Sequence, residues 1–235
     1  MRLILILILI SCSELLAQDY TTQAVSRRLD DLATMTPQAA TPNVGFDTRV
    51  SKLKGSEYMN DNWLLGGLLF QGEDKYIENL TVRYNILNEV LEIQNKNYVK
   101  VASTTNIDAF YIVGVGNQRH FKAATNYKND KGEALTGFLE VLEDGKYQYL
   151  RHNRAYIKKP NYKEEFHVGS MDYEIVPTTD EYIAENNVLY PVNAFIKEKR
   201  KNNPALKKFI RVNSLFVKEP DHVAKMVEFL NQNEE

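Results

Sequence analysis

Cysteine is almost missing from this chain. The only one, Cys12, lies in the first dozen of 235 residues, so a chain cut beyond it has no thiol to pair and rests on core packing alone. Histidine is scarce as well: His120, His152, His167 and His222 are the four, and none has a second His, Cys or carboxylate at the spacing of a known metal motif. Long apolar runs are also missing. Leu3–Ile10 is unbroken but has only eight residues, and Trp63–Phe70 stops at Gln71-Gly72, whereas a helix crossing a bilayer needs about 20. Excess charge of either sign is lacking too, with 29 Lys and Arg against 31 Asp and Glu. No global field therefore draws the chain to nucleic acid or to an anionic surface, and any such attraction has to be local.

Motifs for catalysis are equally thin. No Gly-x-Ser-x-Gly elbow occurs, and Gly114-Val115-Gly116 lacks the third glycine and following helix of a dinucleotide loop, which makes it a strand end with a turn. Glu140, Glu143, Asp172 and Glu174 are carboxylates that a glycoside hydrolase would place across a cleft. Their setting in strand-like runs predicts a solvated strand face instead. No catalytic, metal or cofactor residue is assigned.

What is present is ordinary globular material, 43% hydrophobic and 26% charged, with 14 Tyr and 10 Phe against a single Trp. Tyrosine suits a half-buried pleated surface, so the aromatic set favours sheet. Arg2, the apolar run Leu3–Ile10 and the small or polar residues after it have the layout of an export signal over residues 1–17. Two processing sites compete. Cleavage after Ala17 would release the chain, and the order Leu9-Ile10-Ser11-Cys12 resembles a lipobox that would anchor it through a lipidated Cys12.

From Asp19 to Lys54 the sequence is polar, with Pro37 and Pro42, while Val25, Leu29 and Leu32 fall at helical spacing. Residues 18–54 are thus expected to be a short helix and a linker, with the folded body starting near Gly55. Beyond it, Leu80, Val82, Tyr84 and Ile86 alternate with Thr81, Arg83 and Asn85, predicting a strand with one wet face. Further short runs at 90–93, 98–102, 107–115 and 120–124 suit a meander or sandwich. Phe138–Leu142 and Tyr147–Leu150, joined through Glu143-Asp144-Gly145, read as a hairpin, and a second is expected from Glu181 to Tyr190.

After Pro191 the period changes to 3.6. Asn203 can cap a helix opening at Pro204 with Leu206, Phe209 and Ile210 on one face, and a further helix from Pro220-Asp221 aligns Val223, Met226, Val227 and Leu230. The fold class predicted is α+β: mainly antiparallel β over 55–191, closed by helices in 192–235.

Gly55-Ser56-Glu57-Tyr58-Met59-Asn60-Asp61-Asn62-Trp63, followed by Leu80-Thr81-Val82-Arg83-Tyr84-Asn85-Ile86, resembles a pattern found in exported, functionally uncharacterised proteins of Bacteroidota. That resemblance runs from about Gly55 to Leu230. It implies an envelope location and a β-rich fold, and it assigns no catalytic residues.

Three features remain as functional candidates. Arg83 with Trp63 can grip a ligand anion or glycan from a Tyr-rich sheet, or can form a structural salt bridge. Arg151, Arg154, Lys158, Lys159 and Lys163 form a basic cluster with no acid among them, and Lys197, Lys199, Arg200, Lys201, Lys207, Lys208 and Arg211 form a second offset only by Glu198. On an envelope protein these suit anionic headgroups or an acidic partner, while a plain solvated face is the structural alternative. The expected role is a non-enzymatic interaction module, with Lys207, Lys208 and Arg211 as contact residues. A ligand- or glycan-binding protein is the alternative, a hydrolase the lesser one, and nucleic acid is not an expected partner.

Overall fold

The alternation around Tyr84 forms a strand, as do the other short apolar runs between residues 64 and 150. The computed structural model describes residues 27–34, 53–95, 97–162, 164–166 and 168–233. The export-signal reading, Cys12, Val25, Lys163 and His167 lie outside the described residues.

The first half of the chain contains β1 (Ala33–Thr34), β2 (Leu53–Lys54), β3 (Leu64–Phe70), β4 (Ile77–Asn85), β5 (Val90–Asn95), β6 (Tyr98–Ala102) and β7 (Ile107–Val113). The second contains β8 (Gln118–Ala123), β9 (Lys128–Asn129), β10 (Phe138–Glu143), β11 (Tyr147–Lys158), β12 (Tyr173–Glu185) and β13 (Val188–Pro191). Three helices follow: α1 (Val192–Asn202), α2 (Pro204–Val212) and α3 (Pro220–Asn233).

The strand order is β1-β6-β5-β4-β3-β7-β8-β10-β11-β12-β13-β9, with β2 beside β12. Only the short β2 and β9 pair in parallel; the rest is an antiparallel meander, so the protein is α+β with C-terminal helices. The chain passes from β6 to the free side of β3, where it becomes β7. Gly66-Gly67 makes that pairing close: a Cβ on Gly66 would sit 2.4 Å from the Tyr111 carbonyl oxygen, and one on Gly67 would sit 2.6 Å from the Tyr111 ring.

The sheet curls until the turn after β4 meets β11, with four strands between them in the ladder. Ala155 N–H donates to the Ile86 carbonyl at 2.9 Å, and Glu89 bridges His152 at 2.8 Å and the Thr136 hydroxyl at 2.6 Å. Inside the curl lies an aromatic core. Phe110 and Phe121, register partners on β7 and β8, stack at 4.4 Å, and Phe138 and Tyr84 close around Phe110 at 5.0 and 5.3 Å.

Residues 27–34 belong to this body. Leu32 is buried in the same core with Leu29 against it, Ala33 pairs with Val101, and the Lys100 ammonium donates to the Asp30 and Leu32 carbonyls. Two apolar residues at helical spacing thus suffice to pin part of the segment expected to be a helix and linker.

A second core joins the helices to the sheet. Val223, Met226, Val227 and Leu230 of α3 are fully buried with Leu206 of α2, facing Tyr147, Tyr149 and Ile183. Burying side chains of this size stabilises by about 1.5–3 kcal/mol each, which is what holds helices too short to persist alone. Asn203 caps α2 as its sequence suggests, accepting from Leu206 N–H at 2.9 Å. Asn231 of α3 accepts from Tyr147 N–H at 2.8 Å and donates to the Tyr147 carbonyl at 2.9 Å, occupying the place of a neighbouring strand.

Two expectations of solvated polar faces need correcting. The polar face of β4 is wet at Asn79 but covered at its C-terminal end, where Asn85 is 0% exposed, as is Glu92 across the ladder from Arg83. Glu140 is only 4% exposed. Arg119 grips its carboxylate through Nε at 2.7 Å and Nη2 at 2.8 Å, and Asn153 donates to it at 3.0 Å. Burial is tolerated because every carboxylate charge there has a cation and hydrogen bonds.

Candidate functional site

Arg83 is engaged within the fold. Its Nη2 donates to the buried Glu92 carboxylate at 2.8 Å, and its guanidinium lies 3.5 Å from the Tyr58 ring centroid and 4.4 Å from that of Trp63. The Gly55–Trp63 segment therefore works as a clamp, stacking two rings on a cation that is ion-paired from the neighbouring strand. Asn85 completes it, its side-chain Oδ1 accepting from the N–H groups of Leu87 and Asn88 at 3.1 and 2.9 Å. This chemistry braces the β4–β5 turn, and the two cavities described below have other walls.

The histidines also hold structure. The His152 ring is 1% exposed and bonds to Glu89, and His222 accepts from Phe216 N–H through Nδ1 at 3.1 Å, while His120 is exposed on β8. Among the described residues no group of three or more His, Cys, Asp and Glu is placed to hold a metal ion. No described helix is long and apolar enough to cross a membrane.

The two basic clusters part company in space. Those of β11 lie opposite carboxylates of β12: Arg151 pairs with Glu181 at 2.9 Å, Arg154 with Asp180, and Lys158 with Glu174 at 3.3 Å. The register that aligns β11 and β12 brings Arg151 directly across from Glu181 and Lys158 from Glu174. A stretch that is strongly positive along the chain is thereby offset across the ladder.

The second cluster is not offset. Lys197, Arg200 and Lys201 on α1 face Lys207, Lys208 and Arg211 on α2 across an open groove of about 1030 Å³. Among the described residues none of these six forms an ion pair, and no carboxylate lines the groove. Its apolar part is Pro204, Ile210, Leu215 and Phe216. The geometry follows from Asn203, whose extended backbone (φ −123°, ψ 96°) ends α1 and starts α2 in one residue. The apolar stripes Phe195-Ile196 and Leu206-Ile210 are thereby buried together, and the basic faces are left outward.

Lys199, the remaining member of the sequence cluster, is directed elsewhere. It donates to Glu185 at 3.1 Å and to the Tyr147 hydroxyl at 2.9 Å, beside a smaller cavity of about 450 Å³. Burial alone would push its ammonium down, but the hydrogen bonds and charges of Tyr147 and Glu185 outweigh this and hold it above the usual lysine value.

The groove can attract and hold anions by charge, and among the described residues Ser214, the one hydroxyl in its wall, has no side-chain hydrogen bond to a base. The cations were legible in the sequence but Phe216 was not, its signal there being only an aromatic residue five positions after Arg211. Compared with protein-family models, with curated proteins and with solved structures, the chain matches none.

Proposed function

We propose that this protein is an exported, non-enzymatic interaction module of the bacterial envelope that holds an anionic partner in the groove between α1 and α2. The carrying observation is the contrast between the clusters: β12 supplies an acid for each of three β11 cations, while the six groove cations have none among the described residues. Uncompensated like charges repel one another at a cost in stability, and an anionic partner would remove that cost. The export layout of residues 1–17 and the likeness of the Gly55–Trp63 and Leu80–Ile86 segments to exported Bacteroidota proteins support the location.

The test is the triple variant Lys207→Glu, Lys208→Glu, Arg211→Glu, expressed in a bacterial host beside the parent. Loss of envelope association and of affinity for dextran sulfate, at a melting midpoint equal to or above the parent's, is the expected result. Unchanged association and unchanged affinity would end the proposal. Intact mass and fractionation with a Cys12→Ala control would decide between release after Ala17 and lipid anchoring.

A further inference from the structure

We infer that the partner of the groove is the surface of a membrane rich in anionic phospholipid, with Phe216 and Val212 entering the boundary between headgroups and acyl chains. The inference rests on the proposed binding role of the same groove and names what fills it.

Its first support is the pairing of charge with exposed apolar surface. Phe216, in the groove wall, is 62% exposed, and Val212, next to Arg211 at the end of α2, is 68% exposed. The Phe216 ring is held outward by its connection to α3. Ser214 adopts φ +50°, Leu215 turns into the core at 7% exposure, and Phe216 N–H is tied to His222. Its neighbour fills the core, so packing does not require a phenylalanine at 216.

The second support is the shape of the charged surface. The cations spread over two helices and an open groove, as an extended array of headgroup phosphates requires, and no carboxylate interrupts them. Basic residues flanking a few large apolar side chains are the composition of helices that lie in the membrane interface, where each cation near an anionic leaflet adds up to about 1 kcal/mol. A single-stranded polynucleotide would call for several stacking aromatics, and Phe216 is the one aromatic residue in the groove wall.

The test is flotation of the full chain with vesicles of equal parts phosphatidylglycerol and phosphatidylcholine, against phosphatidylcholine alone, and with dextran sulfate as the soluble polyanion. Comparing the two vesicle types cancels any contribution of the apolar run Leu3–Ile10. The parent should prefer the anionic vesicles, and Lys207→Glu, Lys208→Glu, Arg211→Glu should weaken that binding on the order of a hundredfold. Val212→Ser with Phe216→Ser should weaken vesicle binding about tenfold and leave dextran sulfate binding and the melting midpoint unchanged.

An unaltered vesicle affinity in the serine pair, or no preference of the parent for anionic vesicles, would overturn the membrane inference. If dextran sulfate binding were still lost on charge reversal in that case, the groove would retain its binding role and an acidic protein would be its partner. If charge reversal changed neither affinity, both conclusions would fail.

Discussion

Glu140→Gln isolates the contribution of the buried ion network that joins β8, β10 and β11. The substitution keeps the shape of the side chain and removes its charge, so Arg119 loses a bidentate partner at 2.7 and 2.8 Å. Breaking one side of a fully buried pair costs about 3–5 kcal/mol. Here the cost is smaller, because the Arg119 side chain is 30% exposed and regains water, and Arg151 retains Glu181. About 2–3 kcal/mol is expected, which in a domain of this size lowers the melting midpoint by about 5–10 °C.

Asp180→Asn is the matched control, since its pair with Arg154 joins side chains 41% and 43% exposed, where such pairs contribute under about 1 kcal/mol. Urea titrations of parent and variants by circular dichroism, with melts alongside, would measure both. Equal destabilisation by the two substitutions would refute the assignment of Glu140 to a buried, interlocked site.

Other outcomes follow from named contacts. Burial alone would raise the Glu89 carboxyl, but hydrogen bonds from His152 and Thr136 outweigh it and pull it below the ordinary carboxylate value. Its stabilisation is therefore full above that ordinary value and is lost as pH falls through the lowered one; the urea midpoint of Glu89→Gln should fall less steeply with acid than the parent's. Asn231→Ala leaves the Tyr147 N–H and carbonyl without their partner and should cost about 1–3 kcal/mol, read from the unfolding midpoint. Gly145→Ala should also destabilise, since Gly145 adopts φ +151° and an added Cβ would lie 2.5 Å from the Asn231 amide nitrogen; a midpoint equal to the parent's would contradict this.

Local signals in the sequence translated well into local structure. Asn203-Pro204 opens α2 because both its cap and its first-turn proline act within four residues, and Asn186-Asn187 turns the β12–β13 hairpin because both adopt positive φ. Within the helical segment expected over 192–235, α1 is not marked separately: only Val192, Phe195 and Ile196 show its buried side, and the helical spacing of Lys197, Arg200 and Lys201 is blurred by Glu198 and Lys199 between them.

The pairing of charges was also hidden. Arg119 and Glu140 are 21 residues apart and Arg151 and Glu181 are 30 apart, distances that only the strand order closes. That is why Glu140 read as solvated, and why two basic clusters of similar appearance differ so much in space. Cations on a strand find acids on the next strand, whereas those on the outer faces of α1 and α2 have no adjacent strand to supply any.

The difference between the two clusters can be measured directly by titrating dextran sulfate into two variants with the same change in charge, Lys208→Glu with Arg211→Glu and Arg154→Glu with Lys158→Glu. The unpaired groove predicts that the first variant loses affinity about tenfold or more while the second loses about twofold or less. Equal losses, or a greater loss in the second variant, would contradict the assignment of binding to the groove.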